Sequence, residues 1–387
     1  MRDLFITEAE HYLTGRRVRV EAENGIITSV KETEGKNAEE EHDYIAPGFI
    51  DDQINGFAGI DFSGVRFSSA DLYTAAREIW KTGVTSFIPT LVTNSPEIIL
   101  RNFRSMADAC GKNKSLSASI PGFHLEGPYI SHVEGYRGCH PAEYIHDPSW
   151  DEFMRFREAA DGRIIQVTIA PERKGAMEFI TKCTREGIIV SLGHTAANTE
   201  QITEAVDRGA RLSTHLLNGC ANMIHRHRNP LWAQLADDRL KTSIIADGHH
   251  LLPEEMKVIL KAKGPGNLIL VSDVIYLSGM APGKYRFLGA DVLLKEDGML
   301  LDIKENCLAG ASFPLIHGVE NIASLGGYSL AEAIGMASVN VAGILGLDDR
   351  GELAAGRRAD MLLFTKIGDT IRLKEVWING IPLLTKI

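Results

Sequence analysis

From residue 45 to residue 272 the chain repeats one pattern: a short apolar or β-branched run, a polar residue in a Gly- or Asn-bearing turn, then a stretch with helical periodicity. The runs fall at 45–56, 84–90, 164–170, 188–192, 211–215, 242–246 and 268–272, and one more ends at Glu126 in Gly122-Phe123-His124-Leu125-Glu126-Gly127-Pro128. Helical stretches separate them at about 69–82, 198–208 and 253–263, and Ser95-Pro96-Glu97 opens another with a cap, a first-turn proline and an acid. Eight alternations predict an α/β fold, a (β/α)8 TIM-like barrel. Doubly wound sheets also alternate, but polar residues at nearly every strand end favour closure.

Both ends of the chain depart from this rhythm. Residues 1–46 alternate apolar and polar positions, as in Arg17-Val18-Arg19-Val20-Glu21, and short strands return within 352–387 at Met361-Leu362-Leu363-Phe364 and Val376-Trp377-Ile378. The two segments are expected to pair as a small β-sandwich domain, leaving 47–351 for the barrel. A β-hairpin insertion is expected near 282–304, around Glu296-Asp297-Gly298, with a helix over 330–345 resuming the barrel packing. An acidic linker is expected at 39–43. The loop over 129–147 carries His132, Arg137, His140 and His146, and loops of that length in compact domains are usually functional.

Composition narrows the function. The net charge is -10 and the basic residues are scattered, so no nucleic-acid face is expected and an anionic ligand needs a local basic pocket. Five cysteines, odd in number and without a C-x-x-C pair, exclude a disulfide framework and a zinc ribbon and read as reduced thiols. No stretch is long and apolar enough for a membrane span, and the N-terminal residues include acids and a His where a signal peptide needs an apolar run. A cytoplasmic protein with no membrane partner is the expectation.

The chemistry is expected at the strand ends. Glu126 closes a buried run, where a carboxylate needs a partner or a cation. His194 in Val190-Ser191-Leu192-Gly193-His194-Thr195 and His215 in Leu212-Ser213-Thr214-His215 close two later runs. Together they suit one divalent ion, zinc or ferrous iron, with a coordination position left open. Asp273, at the end of Leu268-Ile269-Leu270-Val271-Ser272-Asp273, is either the general base or a structural cap. The Asn218-Gly219 turn, His249-His250 and the run His225-Arg226-His227-Arg228 are either an anion site or a solvated basic loop.

Read in order, PGFID, GFHLEGP, GHT, THLLN, ADGHH, VSD, LAG and GELAAGRRAD resemble the N-acetylglucosamine-6-phosphate deacetylases of the amidohydrolase superfamily, over about residues 45–365. The resemblance implies release of acetate from an N-acetylated amino-sugar phosphate in amino-sugar catabolism, with the galactosamine epimer as the rival substrate and a non-catalytic scaffold as the rival class. It implies one metal on Glu126, His194 and His215, Asp273 as base and then acid, and His140 polarising the carbonyl. Asn218, Gly219, His250 and Gln53 are implied on the substrate side, with Arg228 reaching across a homodimer. Two departures stand out. Gln53-Ile54-Asn55 replaces the His-x-His of many superfamily members, which removes ligands for a second metal, and the stretch from Thr214 to Pro230 is longer than the family's usual loop.

Overall fold

A computed structural model describes residues 4–33, 43–304 and 307–385; the linker expected at 39–43 lies almost wholly outside them. Eight parallel strands form one sheet in strict chain order: β1 (Phe49–Ile54), β2 (Val84–Val92), β3 (Phe123–Glu126), β4 (Ile164–Ile169), β5 (Ile189–Leu192), β6 (Leu212–Ser213), β7 (Lys241–Ile244) and β8 (Leu268–Leu270). Helices lie between every consecutive pair, among them Ser69–Trp80, Pro96–Lys112, Thr199–Asp207 and Pro253–Lys263. Each of the eight expected runs overlaps one barrel strand, but the first is split: Ile45-Ala46-Pro47 pairs with Met361–Ile367 of a second sheet, and only Phe49–Ile54 enters the barrel.

Local chemistry fixes the helix starts. Asp71 Oδ2 accepts the Ser68 N–H and hydroxyl at 2.9 and 2.7 Å, Asn198 and Gln201 form a reciprocal capping box, and Ser95 and Asn229 each accept a first-turn N–H just before a proline. The expected helix over 330–345 is two helices, Leu330–Met336 and Val339–Leu345. The Ala337 carbonyl between them accepts the Ile50 N–H of β1 at 2.8 Å, so the barrel wall takes the bond that would have continued the helix.

The sheet ladder is open between β8 and β1, and a short seam closes it. Asn55 N–H donates to the Val274 carbonyl at 2.9 Å and Asp273 N–H to the Gln53 carbonyl at 3.1 Å, while Asp51 Oδ1 accepts the Ser272 N–H at 3.1 Å. Ile54 bridges Val274, which bridges Ala311 in turn. Closure therefore depends on β1 being a polar strand.

Both chain ends meet in a separate sheet of seven strands, including Arg17–Glu23, Asp43–Pro47, Met361–Ile367 and Thr370–Ile378. Its pairing is antiparallel apart from one parallel pair, and Val18, Val20, Ile27, Ile45, Met361 and Trp377 pack into its own core. The insertion is larger than a hairpin: Gly283–Phe287, Ala290–Leu294, Leu300–Asp302 and Cys307–Leu308 make a four-stranded antiparallel sheet. Its first turn runs through Leu288-Gly289, both with positive φ. Leu is rare in that conformation, so the sequence carries no hairpin signal there.

Beneath the catalytic end the barrel interior is polar. His124, on the same face of β3 as Glu126, meets Thr168 at 2.8 Å and Thr90 at 3.3 Å, and Thr168 meets Thr214 at 2.8 Å. Burial lowers His124 to about 4, so it is neutral. Asp52 is also buried, accepts from Gln166 Nε2 at 3.1 Å, and is pushed up by burial to about 6. A folded-state value above the unfolded one stabilises below about pH 4 and loses that contribution as pH rises through about 6. Asp52→Asn is therefore expected to raise the unfolding midpoint by about 2–4 °C at pH 8 and not at pH 4, measured by calorimetry; an equal shift at both values would show that the carboxylate is not the cause.

Candidate active site

The carboxyl ends of the barrel strands surround a cavity of about 100 Å³ lined by Asn55, Glu126, His140, His194, His215, Asn218, Gly219, His250 and Asp273, among others. At its base Glu126 Oε1 lies 2.9 Å from His215 Nε2 and 3.3 Å from His194 Nε2. The rings of His194 and His215 stand nearly perpendicular with centroids 5.0 Å apart, and His140 approaches His194 to 4.5 Å. Burial alone would raise the Glu126 carboxyl, but hydrogen bonds from His194 and His215 hold it well below the usual carboxylate range.

The outward sides of the His194 and His140 rings are tied down. His194 Nδ1 donates to the Tyr136 carbonyl at 3.0 Å, which turns Nε2 toward Glu126. His140 Nδ1 meets Thr93 Oγ1 at 2.8 Å, and burial, aided by His194, lowers that imidazole to about 3. His215 Nδ1 is buried without a partner. Two imidazoles and a carboxylate sharing one dry corner fit a divalent cation in the zinc or iron range. Ligand atoms of Glu126, His140 and His194 lie within 4.8 Å of one another, a group that holds His140 rather than His215.

Backbone strain marks the same positions. His194, His215 and Asp273 have φ of 49°, 27° and 50°, the left-handed region that residues with a side chain seldom enter. Each turns its side chain inward as its strand ends. Gly219 approaches so closely that a Cβ there would lie 2.4 Å from His194 Nδ1, so only glycine fits.

Opposite the imidazoles, Gln53 Nε2 and Asn55 Nδ2 both donate to Asp273 Oδ1, at 2.8 and 2.7 Å. Burial pushes the Asp273 carboxyl up against the charge of His215; Glu126 adds to the rise and the Asn55 bond opposes it. Gln53 is 1% exposed and does not line the cavity, so the side chain expected at the substrate supports Asp273 instead.

On the outer wall Asp247 Oδ2 lies 2.8 Å from His250 Nδ1, while its Oδ1 accepts the N–H groups of His249 and His250 at 2.9 and 2.8 Å. Burial would raise Asp247, but its bonds to His250 hold it below the ordinary range. Asn218 Nδ2 is a buried donor without a partner. Arg228 is exposed and does not line this cavity, because the 217–229 loop carries it outward to the surface.

Sequence reasoning does not single out every residue of the site. Asp247 is legible, since Asp and His three apart across a glycine turn can bond. Thr93 carries no signal. Phe287, Leu288 and Leu308, which bring an apolar wall from the insertion sheet to the cavity, read as ordinary core residues.

The amidohydrolase family matches residues 44–382. Among curated relatives, the N-acetylgalactosamine-6-phosphate deacetylase of Escherichia coli O157:H7 is 29% identical over 96% of this chain and 95% of its own length. The N-acetylglucosamine-6-phosphate deacetylase of Bos taurus is 34% identical over 87% of this chain and 82% of its own. A solved structure of a variant N-acetyl-D-glucosamine-6-phosphate deacetylase from Mycobacterium smegmatis, in complex with N-acetyl-D-glucosamine-6-phosphate, superposes with a TM-score of 0.88 at 28% identity, covering 99% of this chain and all of the other.

Because Glu126 Oε1 is the atom both imidazoles face, Glu126→Gln should weaken zinc binding at pH 7.5 by about 100-fold or more, read by chelator competition. Unchanged affinity would remove the carboxylate from the ligand set.

Proposed function

The chain belongs to the amidohydrolase family, among the N-acetylglucosamine-6-phosphate deacetylases, and we propose that it releases acetate from N-acetyl-D-glucosamine 6-phosphate, yielding D-glucosamine 6-phosphate. The observation that carries the reading is the opposition, across one small cavity, of the Glu126, His194 and His215 cluster and the clamped Asp273.

Glu126, His194 and His215 would hold one divalent cation per subunit, zinc or ferrous iron, which when bound supplies Lewis-acid polarisation at that end of the cavity. The rest falls to the protein. Asp273 takes a proton from the attacking water and later delivers it to the leaving nitrogen. Both amide donors converge on its Oδ1, so Oδ2 is the oxygen that exchanges the proton. A carboxyl raised by burial suits that task, because it must be base and acid in one turnover. His140, held by Thr93, offers Nε2 to the acyl oxygen.

Asn218, Gly219 and His250 form the sugar-phosphate side. Asn218 Nδ2 is an unpartnered donor, and Asp247 keeps His250 turned to the cavity. Among the described residues no arginine or lysine lines the cavity wall, so the phosphate charge needs an external partner. Arg228 of a second subunit in a homodimer is that partner in this reading. No helix among the described residues is long and apolar enough to cross a membrane, and the proposed site of action is the cytoplasm.

The galactosamine epimer is kept as a second substrate, because the Escherichia coli O157:H7 relative that covers 96% of the chain bears that name. One experiment decides between them: acetate release from the 6-phosphates of N-acetylglucosamine and N-acetylgalactosamine, and from unphosphorylated N-acetylglucosamine. Turnover of the glucosamine phosphate is expected to exceed the others by about tenfold or more in kcat/KM. Asp273→Asn should lower kcat by about a thousandfold. Arg228→Ala should raise KM for the phosphorylated sugar alone. Preference for the epimer would transfer the assignment, and near-normal turnover by Asp273→Asn would remove Asp273 as the base.

A further inference from the structure

Asn55 follows β1 and lines the cavity with only 5% of its surface exposed. One end of its amide is fixed: Nδ2 donates to Asp273 Oδ1 at 2.7 Å and reaches the Asp273 backbone carbonyl at 3.4 Å. Flipping the amide would set its oxygen against the carboxylate, so the other end has one direction left. That end, Oδ1, is buried and has no partner. Buried carbonyl-type oxygens nearly always have a donor. Asn55 lines the cavity beside Asp273, and an acceptor left over on such a residue fits a donor on the substrate.

The scissile amide has one such donor, its N–H. We infer that Asn55 is a catalytic residue whose Oδ1 accepts the N–H of the scissile amide while its Nδ2 holds Asp273; this rests on the deacetylase reading above. Because both atoms belong to one planar group, the substrate nitrogen and the carboxylate are kept in a fixed relation.

The consequence appears after water has added to the carbonyl carbon and given a proton to Asp273. The nitrogen becomes pyramidal and gains a lone pair. With its hydrogen engaged by Asn55, that lone pair faces the protonated Asp273. The proton moves to nitrogen, the C–N bond breaks with its electron pair remaining on nitrogen, and Asp273 is again a carboxylate. The products are acetic acid, which ionises, and a primary amine whose N–H still meets Asn55 Oδ1. Gln53 Nε2 remains on Asp273 at 2.8 Å throughout, so the base keeps one donor if Asn55 is replaced.

The test uses two substrates that differ at one atom: N-acetyl-D-glucosamine 6-phosphate and 2-O-acetyl-D-glucose 6-phosphate, an ester with no N–H to accept. Asn55→Leu should lower kcat for the amide by about 100-fold and for the ester by about tenfold or less, with KM for both within about threefold of wild type. Asn55→Asp keeps an acceptor and loses the donor, so its losses on the two substrates should be alike. Equal losses in Asn55→Leu would overturn the inference while leaving the deacetylase reading standing. Should Asn55→Leu fail to fold by its thermal unfolding curve, a loss selective for the amide in Asn55→Asp would overturn it instead. Absence of amide hydrolysis by the wild type would remove the deacetylase reading, and this inference with it.

Discussion

The catalytic end of this molecule depends on how the barrel closes. Between β8 and β1 there is no regular ladder, and the join is made by Asn55 with Val274, Asp273 with Gln53 and Asp51 with Ser272. The same residues that close the wall orient Asp273, the proposed proton carrier, because the side chains of Gln53 and Asn55 meet on its Oδ1. Closure and the proposed catalysis therefore share Gln53, Asn55 and Asp273.

A second constraint is the cost of burying charge. Glu126 is 2% exposed, and that is tolerable only because two imidazoles share one of its oxygens. The left-handed backbone at His194, His215 and Asp273 is the strain accepted to aim those groups into one corner. Around them, Thr93, Asp247 and the Tyr136 carbonyl fix the histidines from outside. Such outer contacts determine which nitrogen faces the cavity. The polar floor of His124, Thr168 and Thr214 lies under this arrangement and carries no net charge of its own.

Much of this is legible in the sequence. Most barrel strands are short apolar or β-branched runs followed by a polar residue, and the run ends at Glu126, His194, His215 and Asp273 converge because parallel strands place their carboxyl ends on one face. The break in the helix expected over 330–345 is not legible, because apolar periodicity does not reveal a carbonyl diverted to another strand, as the Ala337 carbonyl is to Ile50. The bond from Gln53 to Asp273 is not legible, because a polar side chain at a strand end does not disclose its partner, and the partner is 220 residues away. The wall formed by Phe287, Leu288 and Leu308 depends on how a folded insertion docks, which is a long-range fact. Arg228 reads as a ligand of the phosphate only if a second chain is present.

The amides of Gln53 and Asn55 fill Asp273 Oδ1 with N–H donors, and the proposal of one cation rather than two rests on that restriction. The most direct measurement is metal content by plasma mass spectrometry on protein loaded with excess zinc and then desalted, set against protein concentration from amino-acid analysis. One tightly held ion per chain is the predicted result. Two per chain would mean that the first strand supplies ligands after all, and would contradict the role of the seam.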